Sequence, residues 1–128
     1  MTDPDFPEAL RFFIREHIPD VDAAELLLLL AGNPERSYTV ATLLGELLPS
    51  VMPESTMRKH LALFEERGLI AAVAGGEYQY RPVSPQMDDL VRALTKVYNE
   101  RPVTMVRMIY ALKDEKIRSF ADAFRFKK

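Results

Sequence analysis

Ser55-Thr56-Met57-Arg58-Lys59-His60-Leu61-Ala62-Leu63-Phe64-Glu65-Glu66-Arg67-Gly68-Leu69-Ile70 is the stretch whose reading decides the fold. Met57, Leu61 and Phe64 recur at i, i+4 and i+7, the spacing that places side chains on one face of an α-helix. Just upstream, Pro53 suits the start of that helix and Glu54 complements its positive end. Downstream, Gly68 stands where the chain must leave the helix in a left-handed conformation, so the helix is expected to close at Arg67. The polar residues between the apolar ones then form an outward face.

Working outward, residues 69–74 and 77–81 are two extended runs joined by Gly75-Gly76, the sequence form of a β-hairpin. On the other side, Tyr38-Thr39-Val40 is a β-prone triplet. Thr39 is a candidate N-cap for a helix through Leu48, with Leu43, Leu44, Leu47 and Leu48 on one side. Residues 49–53 form a tight connection with a proline at each end. Before these, Asp20 or Asp22 caps a helix over 23–31, apolar nearly all round and therefore buried, which Gly32-Asn33-Pro34 ends. An N-terminal amphipathic arm over 7–16 carries Phe6, Leu10, Phe13, Ile14 and His17 at helical spacing and stops at Ile18-Pro19. After the hairpin, Ser84-Pro85 opens a helix to about Asn99 with Met87, Leu90, Val91, Leu94, Val97 and Tyr98 as a wide stripe. Pro102 breaks it. A shorter helix over 103–112 follows, and Asp114 caps a last one bearing Ile117, Phe120, Ala121 and Phe124. The expected fold is mainly α, with about seven helices and one small β-hairpin.

Residues 26–81 resemble a winged helix–turn–helix domain of the bacterial MarR/ArsR-like kind, the telling string being the one quoted above, similar to that family's recognition helix and its exit into the wing. The tail, from Tyr80-Arg81-Pro82-Val83 through Val103-Thr104-Met105-Val106 to residues 120–125, also resembles that of small bacterial proteins labelled MarR-like. The resemblance implies a three-part chain: an N-terminal helical arm over 1–20, the winged helix–turn–helix over 21–83, and C-terminal helices over 84–128 for packing and dimerisation. A short helix, a turn and a second helix hold the latter proud of the body, where its N-terminal half enters a groove about 12 Å wide. Carried over residue by residue, Glu54, Ser55, Thr56, Arg58, Lys59 and His60 fall on that half. Arg58 then reaches a guanine edge or a phosphate, Lys59 a phosphate, and the Ser55 and Thr56 hydroxyls either. The wing departs from the family pattern, its tip being Gly75-Gly76-Glu77 with Arg81 as the sole cation near its base. Ser55, Thr56, Arg58, Lys59, His60 and Arg81 are thus the expected DNA-contacting set.

Composition bounds the alternatives. The 128 residues are 48% apolar and 28% charged, the profile of an ordinary globular domain. Cysteine is absent, which excludes disulfides, Cys-containing zinc sites, iron–sulfur clusters and a thiol nucleophile. No apolar run exceeds six residues, against the roughly 20 needed to cross a bilayer. The acidic first five residues lack the features of a secretory signal, so a cytoplasmic bacterial protein is expected. Net charge is −2 but uneven, with −5 over 1–34, −1 over 35–81 and +4 over 82–128, so one face can meet a polyanion despite the total.

Chemistry-bearing constellations are few. His17 and His60 are the two histidines and lie in separate elements, so no metal and no cofactor is expected. Glu65-Glu66 and Asp88-Asp89 are adjacent pairs, which on a helix point about 100° apart and do not make an acid/base couple. Gly75-Gly76 lacks the helix and lysine of a phosphate loop, and no Ser-His-Asp order is present. A non-enzyme is expected. The leading reading is a DNA-binding transcriptional regulator with recognition helix over about 54–67. Its rival is a winged-helix module that binds a protein partner and has lost DNA, favoured by the acidic first 34 residues and the uncharged wing. A small molecule held between the N- and C-terminal helices is compatible with either. A homodimer is expected through residues 6–14 and 85–124, on the argument that the stripe from Met87 to Tyr98, with Ile109, Phe120 and Phe124, exceeds what a small core covers alone.

Overall fold

The computed structural model describes residues 7–47 and 52–125, with the helical backbone alone at 120 and 122–125. Phe6, Leu48, the Pro49–Val51 connection and the 126–128 tail lie outside the described residues, as do the side chains of Phe120 and Phe124. Six helices and a three-stranded antiparallel sheet are seen, a mainly α fold with a small β element.

Helix α1 (Glu8–His17) turns Leu10, Phe13 and Ile14 inward and ends before Pro19, which cannot continue it. Asp20 sits extended and its carboxylate accepts the Ala23 amide at 2.8 Å, so α2 (Val21–Gly32) begins where the cap dictates. In the leucine run of α2, Leu26, Leu27 and Leu30 are fully enclosed, while Leu28 and Leu29 are half-buried. Strand β1 (Ser37–Tyr38) follows, and Thr39 caps α3 (Val40–Glu46) by accepting the Thr42 amide at 3.1 Å. Helix α4 (Glu54–Glu66) ends in two capping bonds, Leu69 N–H to the Phe64 carbonyl and Gly68 N–H to the Glu65 carbonyl. These need a left-handed residue at 68, and Gly68 has φ +77°.

Strands β2 (Ile70–Val73) and β3 (Glu77–Tyr80) pair antiparallel across a turn in which Gly75 and Gly76 both have positive φ. Strand β3 is central, because β1 adds to its free edge with Ser37 opposite Gln79 and Tyr38 opposite Tyr78. The β-prone triplet is therefore a third strand of two residues, and the hairpin is part of a sheet ordered β1-β3-β2. Helix α5 (Pro85–Glu100) starts at Ser84, whose hydroxyl accepts the Met87 amide, with proline at its first turn.

Two expectations are corrected here. Helix α6 (Pro102–Arg125) is one continuous helix, so the described residues form six helices rather than the expected seven. Asp114 does not cap a new helix; it sits within α6 and faces Arg118 one turn on at 3.9 Å. The reason is that no proline or glycine follows Pro102, and an N-cap requires an extended residue that nothing there imposes. The α5 stripe is also not a free surface. Val91, Leu94 and Val97 are buried in the same core as Leu26 and Ile109, because α5 packs against α1, α2 and α6 of its own chain. The arm and the C-terminal helices complete one core with the middle of the chain.

Candidate nucleic-acid interface

Helix α4 is held by Met57, Leu61 and Phe64, each with no exposed surface, against α3 and β2. Fixing that face leaves Ser55, Arg58, Lys59 and Ala62 exposed on the other, with Thr56 half-buried at the margin. Arg58 donates from Nε to Glu54 Oε2 at 2.9 Å, one helical turn back, with both side chains more than half exposed. An exposed pair of this kind is worth about 0–1 kcal/mol, so a phosphate can replace Glu54 as the guanidinium's partner at little cost.

His60 departs from its expected place. It is 7% exposed and turns inward, with Nε2 3.4 Å from Asp20 Oδ1, the same oxygen that caps α2. Positions 57, 60, 61 and 64 are i, i+3, i+4 and i+7, so the period assigns His60 to the anchored face, and only its polar character suggests otherwise. His60 therefore lies beside the start of α2, its Nε2 buried with no hydrogen-bond partner among the described residues, and does not stand with Arg58 and Lys59.

Arg81 lies exposed just beyond β3, its backbone N–H donating to the Leu69 carbonyl at 3.1 Å, at the base of the hairpin rather than at its tip. The tip itself, Ala74, Gly75 and Gly76, is exposed and carries no cation. Arg36, which the sequence did not single out, lies over the Tyr38 ring at 4.3 Å from the centroid and donates to Glu46 at 2.6 Å, so it braces β1 to α3.

An opening of about 730 Å³ lies between the end of α2, the 80–84 segment and α5. At its wall the Tyr80 hydroxyl donates to Asp88 Oδ1 and Arg92 Nε donates to Asp88 Oδ2, both at 2.8 Å. The Tyr80 bond, followed by Arg92, holds the Asp88 carboxyl below its ordinary range, while burial pushes the Tyr80 hydroxyl up. Both carboxylate oxygens are engaged, which suits a brace between β3 and α5. Among the described residues no group of three His, Asp or Glu is placed to hold a metal ion, and no helix is long and apolar enough to cross a membrane.

No protein-family model, curated protein or solved structure matches the chain.

His17 supplies a test of how the arm is held. Its ring packs on Phe13 with centroids 4.8 Å apart, and its Nδ1 is buried with no hydrogen-bond partner among the described residues. Burial first, then Arg67 and Lys116, lower its pKa against the opposing pull of Glu16. A histidine whose folded pKa is lowered binds a proton more readily when unfolded, so stability is full above the unfolded value near 6.5 and is lost as pH falls below it. Thermal melts should show a lower Tm at pH 5.5 than at pH 7.5, and His17→Gln should shrink that difference. An unchanged difference in the variant would place the effect elsewhere.

Proposed function

We propose that the protein is a DNA-binding regulator of the winged helix–turn–helix type, with α3 and α4 as the helix pair and β2–β3 as the wing. What carries this reading is the two-sided construction of α4: an inner face anchored by Met57, Leu61 and Phe64, and an outer face presenting Ser55, Arg58 and Lys59. The element order from α2 to β3, with β1 closing a three-stranded sheet, supports it. A helix so presented enters a major groove by its N-terminal half, with Arg58 reading a base edge or phosphate and Lys59 neutralising a phosphate. Thr56 sits at the edge of this contact and Arg81 meets the flanking backbone.

Two copies are part of the proposal, since one short helix with two cations binds a specific site weakly. The outer face of α6 supports a second copy. Val103 and Tyr110 stand seven residues apart, each more than half exposed. This replaces the α5 stripe as the contact between copies. The cytoplasm of a bacterial cell is the proposed location.

Selection from a random duplex pool at low salt should recover a preferred site. Arg58→Ala and Lys59→Ala should each weaken its binding roughly tenfold with unchanged circular dichroism. With about four to six phosphate contacts per dimer, log affinity should fall against log salt with a slope of roughly −4 to −5. Failure of the wild-type protein to bind any duplex would favour the second reading, a winged-helix module for a protein partner. That reading draws on the cation-free hairpin tip and on Glu54 already occupying Arg58.

A further inference from the structure

A separate opening of about 400 Å³ lies where the α1–α2 turn, the C-terminal end of α4 and the middle of α6 meet. Its apolar floor comes from Ile18, Leu63 and Ile117. Arg15, Arg67, Lys113 and Lys116 stand around it, against one lining carboxylate, Glu16. We propose that this cleft binds an amphipathic monocarboxylate, with the head among these cations and an aliphatic body on the floor.

Four observations lead there. The volume falls in the range of small-molecule sites, about 300–1,000 Å³. Apolar floor and cationic rim together favour an amphipathic anion over a neutral hydrocarbon, which makes no use of the cations, and over a small inorganic anion, which leaves the floor wet.

The Arg15 guanidinium is the third observation. Its Nε is buried without a hydrogen-bond partner among the described residues. Glu16 stands 3.8 Å from Nε and Glu115 3.6 Å from Nη1, ion pairs longer than a hydrogen bond. Buried donors left unmade are costly, and a planar carboxylate matches the guanidinium fork.

The fourth is the local field. His17, two residues after Arg15 in α1, has its pKa lowered first by burial and then by Arg67, with Lys116 adding and Glu16 opposing, so two cations of the rim act on this end of α1. The cleft is also distinct from the proposed DNA contact. Arg67 follows Arg58 by nine residues, about 13 Å along a helix axis, so the cations at this end of α4 are not those of its N-terminal half.

The test uses the full chain without DNA, so its outcome is independent of the nucleic-acid reading. Decanoate, held below its micelle concentration, is titrated by calorimetry and by amide NMR shifts. Saturable binding should move resonances of residues 15–19 and of the α4 C-terminus. Arg67→Gln and the pair Lys113→Gln with Lys116→Gln should each weaken binding roughly tenfold while circular dichroism stays unchanged, since these side chains are exposed. Decanol should bind at least about tenfold more weakly than decanoate, and acetate or inorganic phosphate should not displace it. The proposal is overturned if decanoate does not bind, if decanol matches it, if phosphate displaces it, or if the charge variants bind like the wild type.

Discussion

Leu94→Glu is expected to unfold the protein rather than separate one copy from another. Leu94 has no exposed surface and sits in α5, which packs on α1, α2 and α6. A carboxylate there either stays charged without a partner or takes up a proton, and in both cases a well-packed apolar side chain is lost. Unpaired charges in cores belong to the short list of changes that cost about 4–5 kcal/mol, against a total stability of about 5–15 kcal/mol. Circular dichroism at 25 °C should show lost helix, or a melt too low and broad to fit. The contrasting variant is Tyr110→Glu, 60% exposed on the outer face of α6. Its stability should change by no more than about 0.5 kcal/mol, while light scattering falls from twice the chain mass to one. A native melt for Leu94→Glu would mean that α5 does not complete the core.

Phe64→Ala is expected to cost about 3–5 kcal/mol, the range for deleting an aromatic ring from a packed interior. Phe64 is fully buried on the inner face of α4, and its carbonyl also accepts the Leu69 amide that ends the helix. Loss of the ring leaves a cavity beneath the helix that presents Arg58 and Lys59. Urea denaturation measures the change directly, and duplex binding should weaken with it because the helix is no longer held in one position. A cost under about 1 kcal/mol would show that Met57 and Leu61 anchor α4 without it.

Local chemistry made much of the chain legible. Thr39 caps the helix it was expected to cap, α5 opens at Ser84-Pro85 as expected, and of Asp20 and Asp22 it is Asp20 that accepts the α2 amide. Gly68 turns left-handed where α4 must end, and Gly75-Gly76 makes the hairpin turn. These features depend on residues within four positions of one another, so a linear reading suffices. His60 was legible too, by period, but its polarity argued the other way, and only the tertiary structure shows it buried beside Asp20.

What the sequence by itself determined was therefore where most helices and the hairpin begin and end, the unbroken α6 excepted, and, but for His60, which side of α4 faces out. The tertiary structure alone decided what each apolar face meets. The α5 stripe carries the same residues whether it covers α1 and α6 of its own chain or a second copy, and only packing shows that it does the former. Likewise Arg15, Arg67, Lys113 and Lys116 are scattered over three helices and become one cationic rim when those helices come together. The physical reason is one of range: caps, turns and periodicity are set by neighbours in the chain, whereas burial and electrostatic fields are set by neighbours in space.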